Sequence, residues 1–170
     1  MEGFGEQEGD KPSKDPSCCA ISHNYPLKVT LHSSQRDLRL SVRPLKRMIR
    51  CLVTYLEIST EEIIVHFVSK KEISSLHEQF FNDPSPTDCI TFPIDSALLG
   101  EIFICPKVAL EYAEAHGKDP YVETSLYVIH CLLHLHGLKD KTPKERSRMR
   151  LWEKKCLNHL QEKNYLLSST

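Results

Sequence analysis

A chain of 170 residues that is 40% hydrophobic and 26% charged, with a formal net charge of -1, has the composition of one ordinary globular domain and not of a disordered or collagen-like chain. The near-neutral balance excludes a uniformly basic nucleic-acid binder, so any such surface is a local patch. No apolar run reaches the about 18 residues a membrane-spanning helix needs, and the seven cysteines, odd in number and mostly set in apolar stretches, favour a reducing, cytoplasmic setting.

Residues 1–25 are rich in acids, Gly, Pro and Ser and lack the apolar stretch of an export signal, so they are expected to form a flexible tail, with the folded domain over residues 26–165. Residues 27–31 (LKVTL) alternate apolar and polar positions as a half-buried strand does, and residues 38–42 (LRLSV) repeat the pattern, predicting a second short strand. From Pro44, apolar residues Leu45, Met48, Ile49, Leu52, Val53 and Leu56 recur at spacings of three and four, predicting an amphipathic helix ending near Ile58. Its other side carries Arg43, Lys46, Arg47 and Arg50, either a solvated face or a patch that meets RNA phosphates.

Residues 62–68 (EIIVHFV) read as a core strand, and residues 71–81 as a short helix with Ile73, Leu76 and Phe80 facing inward. After the turn-forming NDPSPTD come a strand over residues 89–92, stopped by Pro93, and another over residues 100–105, entered through Gly100. Pro106 opens a helix through Val108, Ala109 and Tyr112 that ends at Gly117. Residues 121–136 are apolar nearly all round, the mark of a helix buried among other elements, and a last helix from Pro143 to about residue 160 aligns Met149, Trp152, Cys156 and Leu160. Strands interleaved with helices, without an internal repeat, give an α+β or α/β single domain.

The strongest chemical signal is HCLLHLHGLKD, residues 130–140. On a helix, residues four apart differ by only about 40° of rotation, so His130 and His134 project from one face and both imidazoles can reach one ion. Gly137 can take the left-handed conformation that reverses the chain and swings Asp140 back toward them. Two histidines, one carboxylate and an open fourth position suit a catalytic divalent metal such as zinc. The bland alternative is a pair of hydrogen-bonded core histidines, which the apolar helix around them disfavours. His136 lies about 200° around from His134 and is the alternative third ligand. A zinc protease would place a general-base Glu after the first histidine, where this chain has Cys131.

The segment resembles the metal-binding signature of the YbeY family, and two more motifs follow suit: SPTDCITFP (residues 85–93) is similar to the family's Pro-Thr-Asp-x-Leu-Ser-Phe-Pro stretch, and GEIFIC (residues 100–105) to its Gly-Asp-Ile-x-Ile-Cys strand. Glu145, Met149 and Glu153 fit the acidic, amphipathic helix after the signature, and the resemblance runs from about residue 27 to 160. There are departures. The family's third ligand histidine falls on Asp140, an arginine it usually carries falls on Phe81, and Leu138, Cys131 and Glu101 replace an aromatic, a glycine and an aspartate. Asp88, in the second motif, is either a turn residue or a carboxylate placed behind the metal.

The resemblance implies an α+β fold, a small mixed sheet packed with helices around a central metal-binding helix. It implies a metal-dependent, single-strand-specific endoribonuclease acting in 16S ribosomal RNA 3′ end maturation and ribosome quality control, with single-stranded RNA, ribosomal RNA and the small ribosomal subunit as partners. His130, His134 and Asp140 would be its catalytic and metal-ligating residues, holding one divalent ion. The departures at Asp140 and Phe81 keep open a metal-dependent hydrolase of another substrate and a ribosome-associated metal-binding protein without catalysis.

Overall fold

The alternation of buried and half-buried residues in Glu62–Phe67 and Leu98–Ile104 makes a sheet with one face in the core. In the computed structural model, which describes residues 27–169, the strands are β1 (Lys28–Ser33), β2 (Glu62–Phe67), β3 (Cys89–Pro93) and β4 (Leu98–Ile104), in spatial order β1-β2-β4-β3. β1 runs parallel to β2 and β2 to β4, while β3 joins β4 antiparallel. Asp95 closes that hairpin by accepting from the N–H groups of Ala97 and Leu98, each at 2.8 Å. The expected tail of residues 1–25 lies outside the described residues.

The helices are α1 (Val42–Tyr55), α2 (Lys70–Phe81), α3 (Pro106–His116), α4 (Pro120–Leu135) and α5 (Pro143–Glu162). Val29, Ile63, Val65, Phe67, Ile102 and Ile104 line the core face of the sheet; α1 and α4 pack over it, and α5 packs against those two helices. With five helices on a four-stranded mixed sheet among the described residues, the fold is α+β, as expected, and α4 is its central helix, touching α1, α3, α5, β3 and β4. Leu132 and Leu133 of α4 are fully buried, each stabilising the fold by about 1.5–3 kcal/mol through the apolar surface it removes from water. A smaller apolar cluster of Val68, Ile73, Ile90 and Cys105 sits beneath α2. Among the described residues no helix is long and apolar enough to cross a membrane.

Three expectations are corrected. Residues 38–42 form no strand: the Gln35 side chain occupies both backbone groups of Leu38, donating to its carbonyl at 2.8 Å and accepting from its N–H at 2.9 Å, and Val42 already begins α1. A side chain has taken the bonds that a neighbouring strand would have supplied. α1 stops at Tyr55 and not near Ile58, because Glu57 takes a left-handed conformation (φ 55°) and the Ile58 N–H turns back to the Val53 carbonyl. Phe80 does not face inward; it is 53% exposed and leans on Phe92 of the edge strand β3, leaving Ile73 as the residue that anchors α2.

Gly100 fixes how close α4 lies to the sheet. A Cβ there would collide with the Phe92 carbonyl and come within 2.9 Å of Leu135 at the end of α4, so only glycine allows this approach.

Candidate metal centre

The site is built on one helix hairpin. Asp119 caps α4, accepting from the N–H groups of Tyr121 and Val122, and Pro120 occupies its first turn. At the other end the His136, Gly137 and Leu138 N–H groups bond back to Leu132, His134 and Leu133, with Gly137 at φ 96°. This reversal brings Asp140 over the helix face that carries the histidines. Thr142 and Glu145 then start α5 with a reciprocal capping box, and Arg146 donates to the Asp140 and Lys141 carbonyls at 3.3 and 2.6 Å.

His130, His134 and Asp140 come together here. The two imidazoles meet edge to face with their Nε2 atoms 3.0 Å apart, and Asp140 Oδ2 lies 3.8 Å from the Nε2 of His130 and 3.6 Å from that of His134. One ligand atom from each residue falls within 4.8 Å of the others, so the three could hold a metal ion. The far nitrogens are also engaged: His130 Nδ1 donates to Glu153 Oε1 at 2.6 Å, and His134 Nδ1 to the Leu138 carbonyl at 2.9 Å. Both partners are acceptors, so both rings carry a proton at Nδ1 and direct Nε2 lone pairs into the space that Asp140 also faces. Three acceptors converging on one point repel one another unless a proton or a cation sits among them. Two imidazoles and a carboxylate suit zinc or a neighbouring first-row ion, so the residues fit the metal.

Electrostatics agree with this geometry. Burial pulls the His130 imidazole down, but the bonded Glu153 carboxylate, with Asp88 and Asp140 adding to it, outweighs burial and holds its pKa above the usual histidine value. His136 behaves differently. It caps α4 outside the cluster, and burial lowers its pKa with only Glu57 opposing.

Asp88 accepts from the Cys89 N–H at 2.9 Å and the Thr87 hydroxyl at 3.0 Å, and its charge also reaches His130. Arg47 lies over the Tyr165 ring, 4.5 Å from its centroid, Arg50 donates to the Leu27 carbonyl at 3.3 Å, and Arg43 is exposed with Lys46 half-buried.

The role of Glu153 as the partner of His130 was missed at the level of sequence. Its signal was a carboxylate set beside the buried stripe of Met149, Trp152 and Cys156. Glu123 and Tyr127 share one face of α4 with His130 and His134 at spacings of three and four, and both are buried. Burial raises the Glu123 carboxyl above its usual range, and burial followed by the charge of Glu123 raises the Tyr127 phenol.

The family profile described as endoribonuclease YbeY matches residues 30–161. The chain belongs to the endoribonuclease YbeY family. A relative named endoribonuclease YbeY from Chlamydia felis is 39% identical over 153 residues, covering 84% of this chain and 97% of the relative. Another of that name from Protochlamydia amoebophila is 37% identical over 140 residues, covering 79% and 93%. The solution structure of a Thermotoga maritima protein matches with a TM-score of 0.58 at 27% identity, covering 79% of this chain and 90% of that one. Phe81 is 57% exposed beside the His77 ring.

Proposed function

We propose that this chain is a metal-dependent, single-strand-specific endoribonuclease of the cytoplasm, acting on the 3′ end of 16S ribosomal RNA and in ribosome quality control at the small subunit. The observation that carries this reading is the convergence of the two Nε2 atoms and the Asp140 carboxylate, each histidine oriented from behind by an acceptor, in a member of an endoribonuclease family. His130, His134 and Asp140 hold one divalent ion, zinc being among the first-row ions that two imidazoles and a carboxylate suit. Bound there, the ion supplies Lewis-acid polarisation of a phosphoryl oxygen.

The protein residues do the rest. Glu153 and the Leu138 carbonyl fix the imidazole tautomers and their aim. Asp140, the most exposed of the three at 42% of its side chain, leaves the side of the site open to a strand. Asp88 adds negative charge behind His130 and strengthens its pull on a cation. Arg43 and Lys46 are available to phosphates further along the strand, with Arg47 and Arg50 joining only if they release Tyr165 and Leu27. Exclusion of duplex follows from rigidity, because an A-form helix cannot bend its backbone into a half-buried cluster.

The exposed Phe81, in place of the arginine, favours a second reading, a ribosome-associated metal-binding protein without catalysis. One experiment separates them: elemental analysis of the purified protein, with cleavage of unpaired and duplex RNA by wild type and His134→Ala. The endoribonuclease reading expects about one transition ion per chain and cutting of the unpaired strand, and in the variant about a thousandfold loss of cleavage with RNA binding retained. Metal-loaded wild type that binds small subunits and cuts nothing would establish the second reading. Cutting that survives in His134→Ala would reject the site.

A further inference from the structure

The face of the sheet turned away from α4 carries a ladder of rings. His32 of β1, His66 of β2 and Phe103 of β4 stand in register on one rung. His32 and His66 stack at 4.9 Å with 18° between their planes, and His66 and Phe103 at 4.4 Å with 4°. Phe92 closes one end of the ladder, meeting Phe103 edge-on at 5.8 Å and backed by Phe80 at 4.7 Å. The other end is open. β1 is an edge strand, His32 is exposed, and among the described residues no further ring lies beyond it.

α2 forms the wall of a cavity of about 850 Å³ over this ladder, within the size range of small-molecule sites. Lys71, Ser75 and Gln79, each one turn after the last, line it opposite His32, His66 and Phe103. The nearby acids are occupied: Glu72 accepts from the Ser69 N–H at 2.8 Å and the Ser34 hydroxyl at 2.9 Å, and Glu101 holds His66 Nε2 at 3.1 Å. Lys70 is taken by Glu111 at 2.6 Å, whereas Lys71 is exposed and has no ion pair among the described residues.

We propose that this cavity is a nucleotide-binding site, in which a base stacks on the open face of His32 at the end of the ring ladder and its phosphate meets Lys71. A flat heterocycle extends a row of parallel rings, and every base offers such a face. The Gln79 amide and the Ser75 hydroxyl supply donors and acceptors to the base edge. The site is distinct from the metal cluster, because His32, His66 and Phe103 point to the side of the sheet opposite the core residues that pack on α4. It would hold either a free mononucleotide or one residue of the RNA strand. The inference extends the reading of the chain as an RNA enzyme, but its test needs neither metal nor cleavage, so either can fail without the other.

The test is an NMR titration of the metal-free full chain, following the His32 and His66 ring protons against adenosine 5′-monophosphate, a six-residue oligoadenylate and ribose 5-phosphate. Ring-current shifts are expected with the nucleotide or the oligomer and not with the base-free sugar phosphate. Shifts with both at similar affinity assign a mononucleotide site, and shifts with the oligomer alone assign a site for the strand. His32→Ala, an exposed position whose loss leaves the core intact, should weaken binding about tenfold, the usual scale of one stacking contact. Lys71→Glu should weaken it severalfold and flatten its salt dependence. The proposal is overturned if neither nucleotide nor oligomer moves these signals at millimolar concentration, if ribose 5-phosphate moves them equally, or if both variants bind as wild type does.

Discussion

Helices α4 and α2 flank the same edge strand β3 and are held in opposite ways. α4 is buried over most of its surface, from Glu123 to Leu133, and tertiary packing dictates where its histidines stand. α2 buries Ile73 alone and owes its limits to local signals: a capping box of Ser69 and Glu72 at one end and the left-handed Asn82 (φ 56°) at the other. The deeply packed helix holds the groups that need sub-ångström placement, and the lightly packed one presents its side chains to a ligand, where some freedom is tolerable. Phe81, at the end of α2, is exposed.

Substitutions can sharpen this contrast. The largest expected effect is at Glu153, which orients His130 from α5: Glu153→Gln should weaken metal binding about 10- to 100-fold, measured by competition with a chelator, while the thermal transition of the fold stays in place. Unchanged affinity would mean that the 2.6 Å contact does not steer the imidazole. Phe81→Arg is next. It should tighten binding of unpaired RNA severalfold and steepen the salt dependence of log affinity by about 0.7, the increment for one new phosphate contact on a single strand. An unaltered slope would place that position away from the bound strand.

The smallest effect is in the capping of α2. Ser69→Ala should cost about 1 kcal/mol of stability in a denaturant titration, with RNA cleavage unchanged. Bonds from the Ser69 hydroxyl and N–H hold the Glu72 carboxyl below its usual pKa. Its contribution is therefore present above the unfolded carboxylate value of about 4.3 and lost as pH falls through the lowered folded value. The stability gap between wild type and Glu72→Gln should close on acidification through that window; a gap that persists in strong acid would show that the bond to the charged carboxylate is not its source.

What the sequence made legible follows the same division. Helix starts marked by Pro106 and Pro143 could be read directly, and so could the turn of α4 to histidines four residues apart, because each signal lies within a few residues of what it specifies. Asp140 was reachable through Gly137, whose positive φ sets the direction of the return. Residues 38–42 misled because alternation alone does not supply a neighbouring strand, and Gln35 met the backbone of Leu38 instead. Phe80 was misassigned because a period shows which residues share a face but not where the sheet beneath it ends. Glu153 could be placed behind His130 only once two helices were packed together, and the ring ladder only once strands distant in sequence were in register.

The hairpin from His130 to Glu153 also bears on how the molecule comes to exist. Every side chain that faces or orients the candidate ion comes from one short stretch of chain, whereas the sheet must align Thr30 with Ile64 and Ile64 with Glu101 across long intervening segments. Contacts between near neighbours close small loops and lose little chain entropy, so they form early; remote strand pairing is slow. The candidate ligands therefore close over a short loop, but α4 needs the sheet and its neighbouring helices to hold its histidines in place, and every strand of that sheet precedes His130 in the chain.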